Sequence, residues 1–387
     1  MRILRSIRSI NPAGGGPIEG IKQVARVHSA AGHETEIVSL DAPEDPWVKE
    51  CPVKVHAMGP VRSGYGYAAK FVPWLREHRR EYDAVIVSGL WQYSGFGVWR
   101  ALRGTDTPYF VFPHGMLDPW FKRAYPLKHL KKWLYWPWAD YRMLRDARAV
   151  LFTSEEECRA ARESFWLYRC NEVVVNYGIA APTGDADAQK QAILQRFPEL
   201  AGKRAFVFLS RIHEKKGCDL LIRAFAKIAS SDESLRLVFA GPDQTGWAGE
   251  LRAIAQQLGI ADRIVWTGML TGDLKWGMLR LAEAFVLPSH QENFGIAVAE
   301  ALAVGTPVLI SNKVNIWREI EKDRAGLVDE DDEPGTTRLL QKWLGLPAEE
   351  KGAMRKIARQ CFQSRFEVTR AAEALIETIQ EPVKQSP

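Results

Sequence analysis

The chain has 387 residues, of which 26% are charged and 46% hydrophobic, so it has the composition of a globular protein large enough for two domains. The net charge is only +5. No apolar run approaches about 18 residues, which argues against a transmembrane helix. The arginine-rich start does not fit a signal-peptide core and predicts a first strand. Five cysteines without a CxxC pair argue against a disulfide framework or structural zinc and predict a cytoplasmic protein.

Both halves of the chain alternate strand-like and helix-like patterns. In the first half, strands are predicted at 3–10, 36–40, 84–87, 109–112, 149–152 and 173–175, with a helix at 18–31. In the second half, the predicted strands are 205–210, 235–240, 264–267, 284–287 and 308–310, and the helices between them are 217–229, 247–258, 274–282 and a segment ending at 304. This alternation predicts an α/β protein with two doubly wound parallel sheets, whose ligands bind beyond the carboxyl ends of the strands.

Two loops of the first half are candidates for ligand contact. Gly14, Gly15 and Gly16 precede Pro17 and a predicted helix, and they either allow a ligand to approach the backbone or form a flexible loop. His114 follows a predicted strand and Pro113, and it is either a ligand contact or a structural histidine. Asp118, four residues further on, is a candidate to orient His114 or an acceptor.

Residues 120–148 are unusually rich in aromatic and basic side chains. One interpretation is an interfacial surface for an anionic membrane or a lipid-linked acceptor. The other is a helical hairpin broken at Pro137, with the aromatic rings in the core and the basic groups in solvent. Aromatic rings among cations also suit single-stranded nucleic acid, but the low overall charge predicts no nucleic-acid partner.

The second half contains a basic loop between a strand and a helix, at 209–217. Arg211 and Lys216 flank this loop, and the planar fork of arginine and the mobile charge of lysine suit a diphosphate. The alternative interpretation is a solvated basic loop.

Glu292 and Glu300 form the most informative pair in the chain. Glu292 precedes the turn at Phe294-Gly295, and Glu300 lies about two turns along the helix that follows. The N–H groups at a helix start suit a phosphate, and carboxylates on either side suit sugar hydroxyls. Together these groups are suited to a nucleotide sugar. Asp329 to Asp332 form an acidic loop, which we do not expect to bind a metal.

These motifs resemble those of the retaining glycosyltransferases of family 4, which have the GT-B fold. Arg211-x4-Lys216-Gly217 and Glu292-x7-Glu300 carry the resemblance, supported by the strings at 240–242, 266–268 and 301–308. The first half matches only at scattered landmarks: 14–16, 114–115 and 176–179. The resemblance implies an acceptor domain at 1–180, a donor domain at 181–365, and a segment at 366–387 whose helix, predicted at 371–379, crosses back to the first domain.

The resemblance also implies roles for individual residues. Arg211 and Lys216 would bind the donor diphosphate, Glu292 the transferred sugar and Glu300 the ribose. The remaining expected donor contacts are Gly15, Gly16, Gly241, Leu270, Asn293, Phe294, Gly295 and Ile296. His114 would approach the donor sugar from across the cleft, and the catalytic set would be His114, Arg211, Lys216 and Glu292.

The implied reaction is metal-independent transfer of a hexose-type sugar, with retention, from a nucleotide diphosphate sugar to a glycan or lipid-linked acceptor. No other cofactor is expected, and the expected setting is the cytoplasm or the inner face of the membrane, in surface polysaccharide synthesis. Two alternatives stay open: a nucleotide-sugar epimerase of the same fold, and a non-catalytic scaffold that binds glycan or nucleotide.

Overall fold

The computed structural model describes residues 1–12 and 16–381. The chain forms two compact units: unit 1 comprises Met1–Ala180 and the chain from Val368 onward, and unit 2 comprises Ala181–Glu367. Each unit is built on one parallel sheet. No helix among the described residues combines the length and the apolar character needed to cross a membrane.

Unit 1 contains a parallel sheet in the order β3-β2-β1-β4-β5-β6-β7. Its strands are β1 (Arg2–Ile7), β2 (Glu34–Ser39), β3 (Val55–Ala57), β4 (Ala84–Ser88), β5 (Tyr109–Phe112), β6 (Ala149–Phe152) and β7 (Glu172–Val174). The helices that connect them are α1 (Gly16–Ala30), α2 (Pro46–Lys49), α3 (Phe71–His78), α4 (Tyr93–Leu102), α5 (Trp120–Ala124), α6 (Pro126–Tyr135), α7 (Asp140–Asp146) and α8 (Glu155–Arg162). The central strands are buried on both faces, as parallel strands usually are.

Unit 2 contains a second parallel sheet, in the order β10-β9-β8-β11-β12-β13. Its strands are β8 (Arg204–Leu209), β9 (Leu235–Ala240), β10 (Ile264–Gly268), β11 (Ala284–Leu287), β12 (Val308–Ser311) and β13 (Gly326–Asp329). Its helices are α9 (Ala186–Arg196), α10 (Cys218–Ala229), α11 (Ala248–Gln257), α12 (Gly272–Leu281), α13 (Ile296–Ala303), α14 (Trp317–Asp323), α15 (Glu333–Gly345) and α16 (Ala348–Cys361). The strand order reverses between β8 and β11, and such a reversal opens a crevice beyond the carboxyl ends of the two strands.

The last helix, α17 (Val368–Gln380), packs on unit 1. Leu375 and Ile379 join the apolar cluster on the face of the sheet that also carries Ile3 and Ile86. His28 of α1 is fixed against α17 because its Nε2 contacts the carbonyl oxygen of Ala372 at 3.2 Å.

The α/β class and the parallel sheets predicted from the sequence are confirmed. The predicted first strand is too long: β1 ends at Ile7, and the chain then turns so that Ser9 Oγ and the Ile10 N–H bind the buried carboxylate of Asp41 at 2.5 and 2.8 Å. The strands β3 and β13 were not predicted; β3 is short and only half-buried, so its apolar signal is weak.

Candidate functional site

The loops after β8 and β9 are held together by their backbones. The Ser210 N–H donates to the carbonyl of Ala240 at 3.0 Å, and the Ile212 N–H donates to that of Pro242 at 2.9 Å. Gly241, with φ 155°, lies between them, and a Cβ there would be 1.8 Å from the carbonyl oxygen of Ser210. Only glycine fits this close approach.

The same β8–α10 loop is also fixed against the end of β11. The His213 side chain accepts a hydrogen bond from the Lys215 N–H at 3.1 Å, and the Lys215 carbonyl accepts one from the His290 N–H at 2.9 Å. Gly217 adopts a left-handed conformation, with φ 64°, and a Cβ there would lie 2.3 Å from the Pro288 carbonyl oxygen. The loop that follows β8 therefore lies directly beside the loop that follows β11.

This proximity places Lys216 against Glu292, and the two side chains form an ion pair. Lys216 is buried, with only 7% of its side chain exposed, whereas 23% of the Glu292 side chain is exposed. Burial raises the pKa of Glu292, but the positive charges of Lys216, Lys215 and Arg211 together hold it below its ordinary value. The ionised carboxylate of Glu292 and the ammonium group of Lys216, which has further N–H donors, thus lie at the same edge of the crevice.

The Glu292 loop is held by a segment that the sequence analysis missed. The Glu292 N–H donates to the carbonyl of Lys313 at 2.9 Å, and its own carbonyl accepts from the Asn315 N–H at 3.0 Å. The Asn315 side chain also donates to Asn293 Oδ1 at 3.4 Å. No local sequence signal indicates this contact, because it depends on β12 lying next to β11 in the sheet.

The start of α13 carries the predicted backbone donors. Gly295 caps the helix with φ 76°, and its carbonyl accepts from the Val298 N–H at 2.8 Å. The N–H of Ile296 lies in the first turn, where no intrahelical acceptor is available. Phe294 is buried and packs edge-on against Phe366 with ring centres 5.6 Å apart, which fixes the turn.

Glu300 lies in the middle of α13 and is paired with Lys275 of α12, with Oε1 and Nζ 2.5 Å apart. Burial raises the pKa of Glu300, and Lys275 only partly opposes this effect. Lys275 is a second residue that the sequence analysis missed, since its only signal is a contact between two helices that are separate in the chain.

The remaining predicted residues of unit 2 lie at the same edge of the sheet. Arg211 is exposed, and its guanidinium donates to Gln244 Oε1 at 2.8 Å. The Gly241 N–H donates to the carbonyl of Gly268 at 2.8 Å, which joins the loops after β9 and β10. Leu270 is half-buried and packs on the apolar cluster that contains Ile193.

The three aspartates of the acidic loop have structural partners. Asp329 pairs with Arg338, Asp331 lies 2.9 Å from Nδ1 of His290, and Asp332 caps α15 by accepting from the Gly335 N–H at 2.7 Å. Within the described residues, no three His, Cys, Asp or Glu side chains are grouped as metal ligands would be.

In unit 1, His114 lies beyond the carboxyl end of a strand and Gly16 lies at the start of a helix. Gly15 lies outside the described residues, and Gly16 begins α1, where its carbonyl accepts from the Tyr177 hydroxyl at 2.9 Å. His114 follows β5 in a left-handed conformation, with φ 51°, and stacks on Phe112. Burial, with a smaller effect from the charge of Arg5, lowers the pKa of His114 to about 3, so its ring is neutral.

Two further expectations for unit 1 are modified by the structure. Asp118 accepts a hydrogen bond from the Trp120 N–H at 2.8 Å, so one of its oxygens stabilises the start of α5. In the 120–148 segment, Trp136 is fully buried and stacks on Phe165 at 4.3 Å, whereas every residue of α6 lies outside the core. The segment therefore combines a core aromatic with an exposed amphipathic helix.

Comparison with known proteins finds matches to both units of the chain. The family model of group 1 glycosyl transferases matches residues 189–360, and that of the glycosyl transferase 4-like domain matches residues 15–178. The mannosylfructose-phosphate synthase of Agrobacterium fabrum is 32% identical over 148 residues, which cover 37% of this chain and 32% of that enzyme. The alignments thus span about a third of the length of curated relatives such as this one.

Two solved structures resemble nearly the whole chain. A glycosyltransferase from Rickettsia africae matches with a TM-score of 0.78 and 16% identity, over 100% of this chain and 99% of that one. Anabaena HepE in complex with UDP and glucose matches with a TM-score of 0.75 and 18% identity, over 98% of this chain and 99% of that one. At this identity the likeness concerns the fold, which is that of GT-B glycosyltransferases. The two family models, which together cover most of the chain, show that it belongs to the group 1 glycosyltransferases of family 4.

Proposed function

We propose that the protein transfers a hexose-type sugar, with retention of configuration and without a metal ion, from a nucleotide diphosphate sugar to a hydroxyl of a glycan or lipid-linked acceptor. The observation that carries this proposal is the ion pair of Lys216 and Glu292 at the carboxyl edge between β8 and β11, with the positive charge of Arg211 acting on the same carboxylate. Related structures of Anabaena HepE hold UDP or UDP-glucose, which supports a nucleotide sugar as donor.

In this proposal the cations bind the donor diphosphate. Breaking the bond between sugar and phosphate leaves negative charge on the phosphate, and fixed cations stabilise the transition state in which that charge develops. Lys216 has three ammonium donors, so it can bind a phosphate oxygen while remaining bound to Glu292. Arg211 is exposed and adds a planar fork, while the N–H of Ile296 adds a neutral donor.

The carboxylates bind sugar hydroxyls. Glu292 accepts hydrogen bonds from the transferred sugar, and Glu300, partnered by Lys275, accepts them from the ribose. Retention follows when the leaving phosphate assists the acceptor hydroxyl on the same face of the sugar. Because Lys216 neutralises Glu292, this carboxylate suits an orienting role better than that of a covalent nucleophile.

The test is donor consumption by Arg211→Ala and Lys216→Ala with a panel of acceptors. Each change should lower kcat by roughly a hundredfold or more, since each removes charge stabilisation that is strongest in the transition state. Lys227→Ala is the matched control, because Lys227 also lies in unit 2 in an ion pair, but with Glu333 on the surface. Turnover that is unchanged in both site variants contradicts the proposal.

Product analysis separates the two alternatives. An epimerised nucleotide sugar formed from donor alone would identify an epimerase. Tight donor binding without turnover over every acceptor would identify a non-catalytic scaffold.

We also propose that unit 1 docks on an anionic membrane, which fits a lipid-linked acceptor in surface polysaccharide synthesis. The docking surface consists of Leu127, Leu130, Trp133 and Leu134 of α6 with Trp166 beside them. Leu127, Leu130 and Leu134 share one helix face and are 83%, 56% and 62% exposed. Residues 119–139 contain no acidic residue but five basic ones: Lys122, Arg123, Lys128, Lys131 and Lys132. An exposed apolar face flanked by cations matches the interface of an anionic bilayer.

Vesicle co-sedimentation tests this docking. Wild-type protein should bind vesicles that contain phosphatidylglycerol more tightly than pure phosphatidylcholine vesicles, and Leu127→Ser/Leu134→Ser should weaken binding roughly tenfold or more. Met269→Ser is the control, because Met269 is 70% exposed but lies in unit 2. No binding at low salt, where electrostatic attraction is strongest, would rule out the docking surface.

A further inference from the structure

Unit 1 contains an arginine in the middle of its sheet. Arg5 belongs to the central strand β1, where its neighbours across the sheet are Ile37 of β2 and Ile86 of β4. Only 7% of Arg5 is exposed. Such positions in parallel sheets are normally apolar, and a fully buried arginine is nearly always paired.

Arg5 has no such partner among residues 1–12 and 16–381. No carboxylate forms an ion pair with it, and its Nε is enclosed without a hydrogen-bond acceptor. Its guanidinium carbon lies 5.6 Å from the ring centre of Phe112, which is a weak substitute for a carboxylate. Burial lowers the pKa of Arg5 to about 10, so the group is still charged at neutral pH. Burying an unpaired charge costs folding free energy. The presence of the Arg5 charge in the core therefore indicates that an anion from outside the chain pairs with it.

Among the described residues, the aromatic cluster beside this guanidinium contains a second unpaired group. Phe112 stacks on His114 with ring centres 5.4 Å apart, and Nε2 of His114 is likewise enclosed without a hydrogen-bond partner in the described chain. Tyr177 lies edge-on to His114 at 6.5 Å and reaches the first residue of α1 through the carbonyl of Gly16. The 15-residue helix α1 therefore begins close to this cluster, and helix starts favour anions.

We propose that Arg5, together with His114 and the first turn of α1, binds an anionic oxygen group, a phosphate or a carboxylate, of a substrate. The group belongs to an acidic acceptor. This inference deepens the proposed function, on which the identity of the bound molecule as an acceptor rests. Anion binding itself is measured without turnover, so it can fail or succeed independently of the transfer reaction.

The test compares wild type with Arg5→Met and Arg5→Lys. Methionine preserves an unbranched apolar side chain and removes the charge, so Arg5→Met should melt at or above the wild-type temperature when no anion is added. Calorimetric titrations should show at least tenfold weaker binding of inorganic phosphate or glucuronate to Arg5→Met, with UDP bound as in wild type. Arg5→Lys should recover part of the loss, because lysine restores the charge without the fork.

UDP distinguishes an acceptor from the donor. Loss confined to phosphate or glucuronate, with UDP bound as in wild type, supports an acidic acceptor, whereas a tenfold loss of UDP affinity overturns the proposal. Lys227→Met serves as control, since it removes a cation of unit 2 that is paired with Glu333 and should preserve the binding of all three probes. Binding of phosphate and glucuronate to Arg5→Met within twofold of wild type also overturns the proposal, as does a marked fall in the melting temperature of anion-free Arg5→Met, which would make Arg5 structural.

Discussion

Replacing Lys216 with methionine would leave the Glu292 carboxylate without the cation that contacts it. Removing one partner of a fully buried ion pair costs about 3–5 kcal/mol of unfolding free energy. Glu292 keeps 23% of its side chain in solvent and still feels the charges of Lys215 and Arg211, so we expect a smaller cost of about 2 kcal/mol. In a unit of this size, that loss corresponds to a fall in Tm of roughly 6 °C.

The opposite change, Glu292→Gln, leaves Lys216, the more deeply buried partner, without its counterion. Only 7% of the Lys216 side chain is exposed, so we expect a loss of about 3 kcal/mol. The double variant, Lys216→Met with Glu292→Gln, contains neither charge and should lose only about 1 kcal/mol, because no unpaired ion is left behind. The two changes should therefore be coupled by about 4 kcal/mol, well above the non-additivity of independent sites.

Calorimetric melting of the four proteins measures this cycle, and donor turnover is assayed in parallel. Stability should recover in the double variant while turnover does not, because catalysis requires the charges themselves. The pKa of Glu292 is depressed in the folded protein, so the coupling should be fully present above its ordinary value of 4.5 and disappear as the pH falls through the depressed value. Stability changes that add within about 0.5 kcal/mol would refute the assigned interaction.

Three further changes test other parts of the structure. Gly241→Ala places a Cβ 1.8 Å from the Ser210 carbonyl oxygen, so UDP binding in a thermal-shift titration should be lost; unchanged affinity would contradict the tight loop packing. Burial raises the pKa of Asp140 to about 7, so the unfolding free energy of wild type falls as the pH rises from 3.8 to 7. Asp140→Asn lacks this titration, so its unfolding free energy relative to wild type should rise by roughly 2–3 kcal/mol between pH 5 and pH 8, which is measured as a shift in Tm. Glu36 is 2% exposed, and burial raises its pKa, but hydrogen bonds that include one from Tyr82 hold the pKa at about 2. Glu36→Gln should cost roughly 3 kcal/mol of unfolding free energy at pH 7 and remove the stability that wild type loses between pH 4.5 and 2. Identical acid unfolding curves of the two proteins would argue against this network.

The sequence by itself determined the fold class and the main strands of both units, because the periodicity of apolar residues and the positions of turn residues are local properties of the chain. It also marked Arg211, Lys216, Glu292 and Glu300 as candidates, since each lies in a loop or helix directly after a strand that could be predicted. The regularity of a parallel sheet then brings such loops to one edge without further information.

The tertiary structure alone decided which of these groups meet and which others join them. Lys275 and Asn315 reach the site from separate helices and loops, and no pattern in their own neighbourhoods marks them. Arg5 looked like an ordinary residue of a basic first strand, and its significance appears only when burial and the lack of a counterion are known. Pairing and desolvation depend on every element packed around a charge, so they arise from the whole fold rather than from the local sequence.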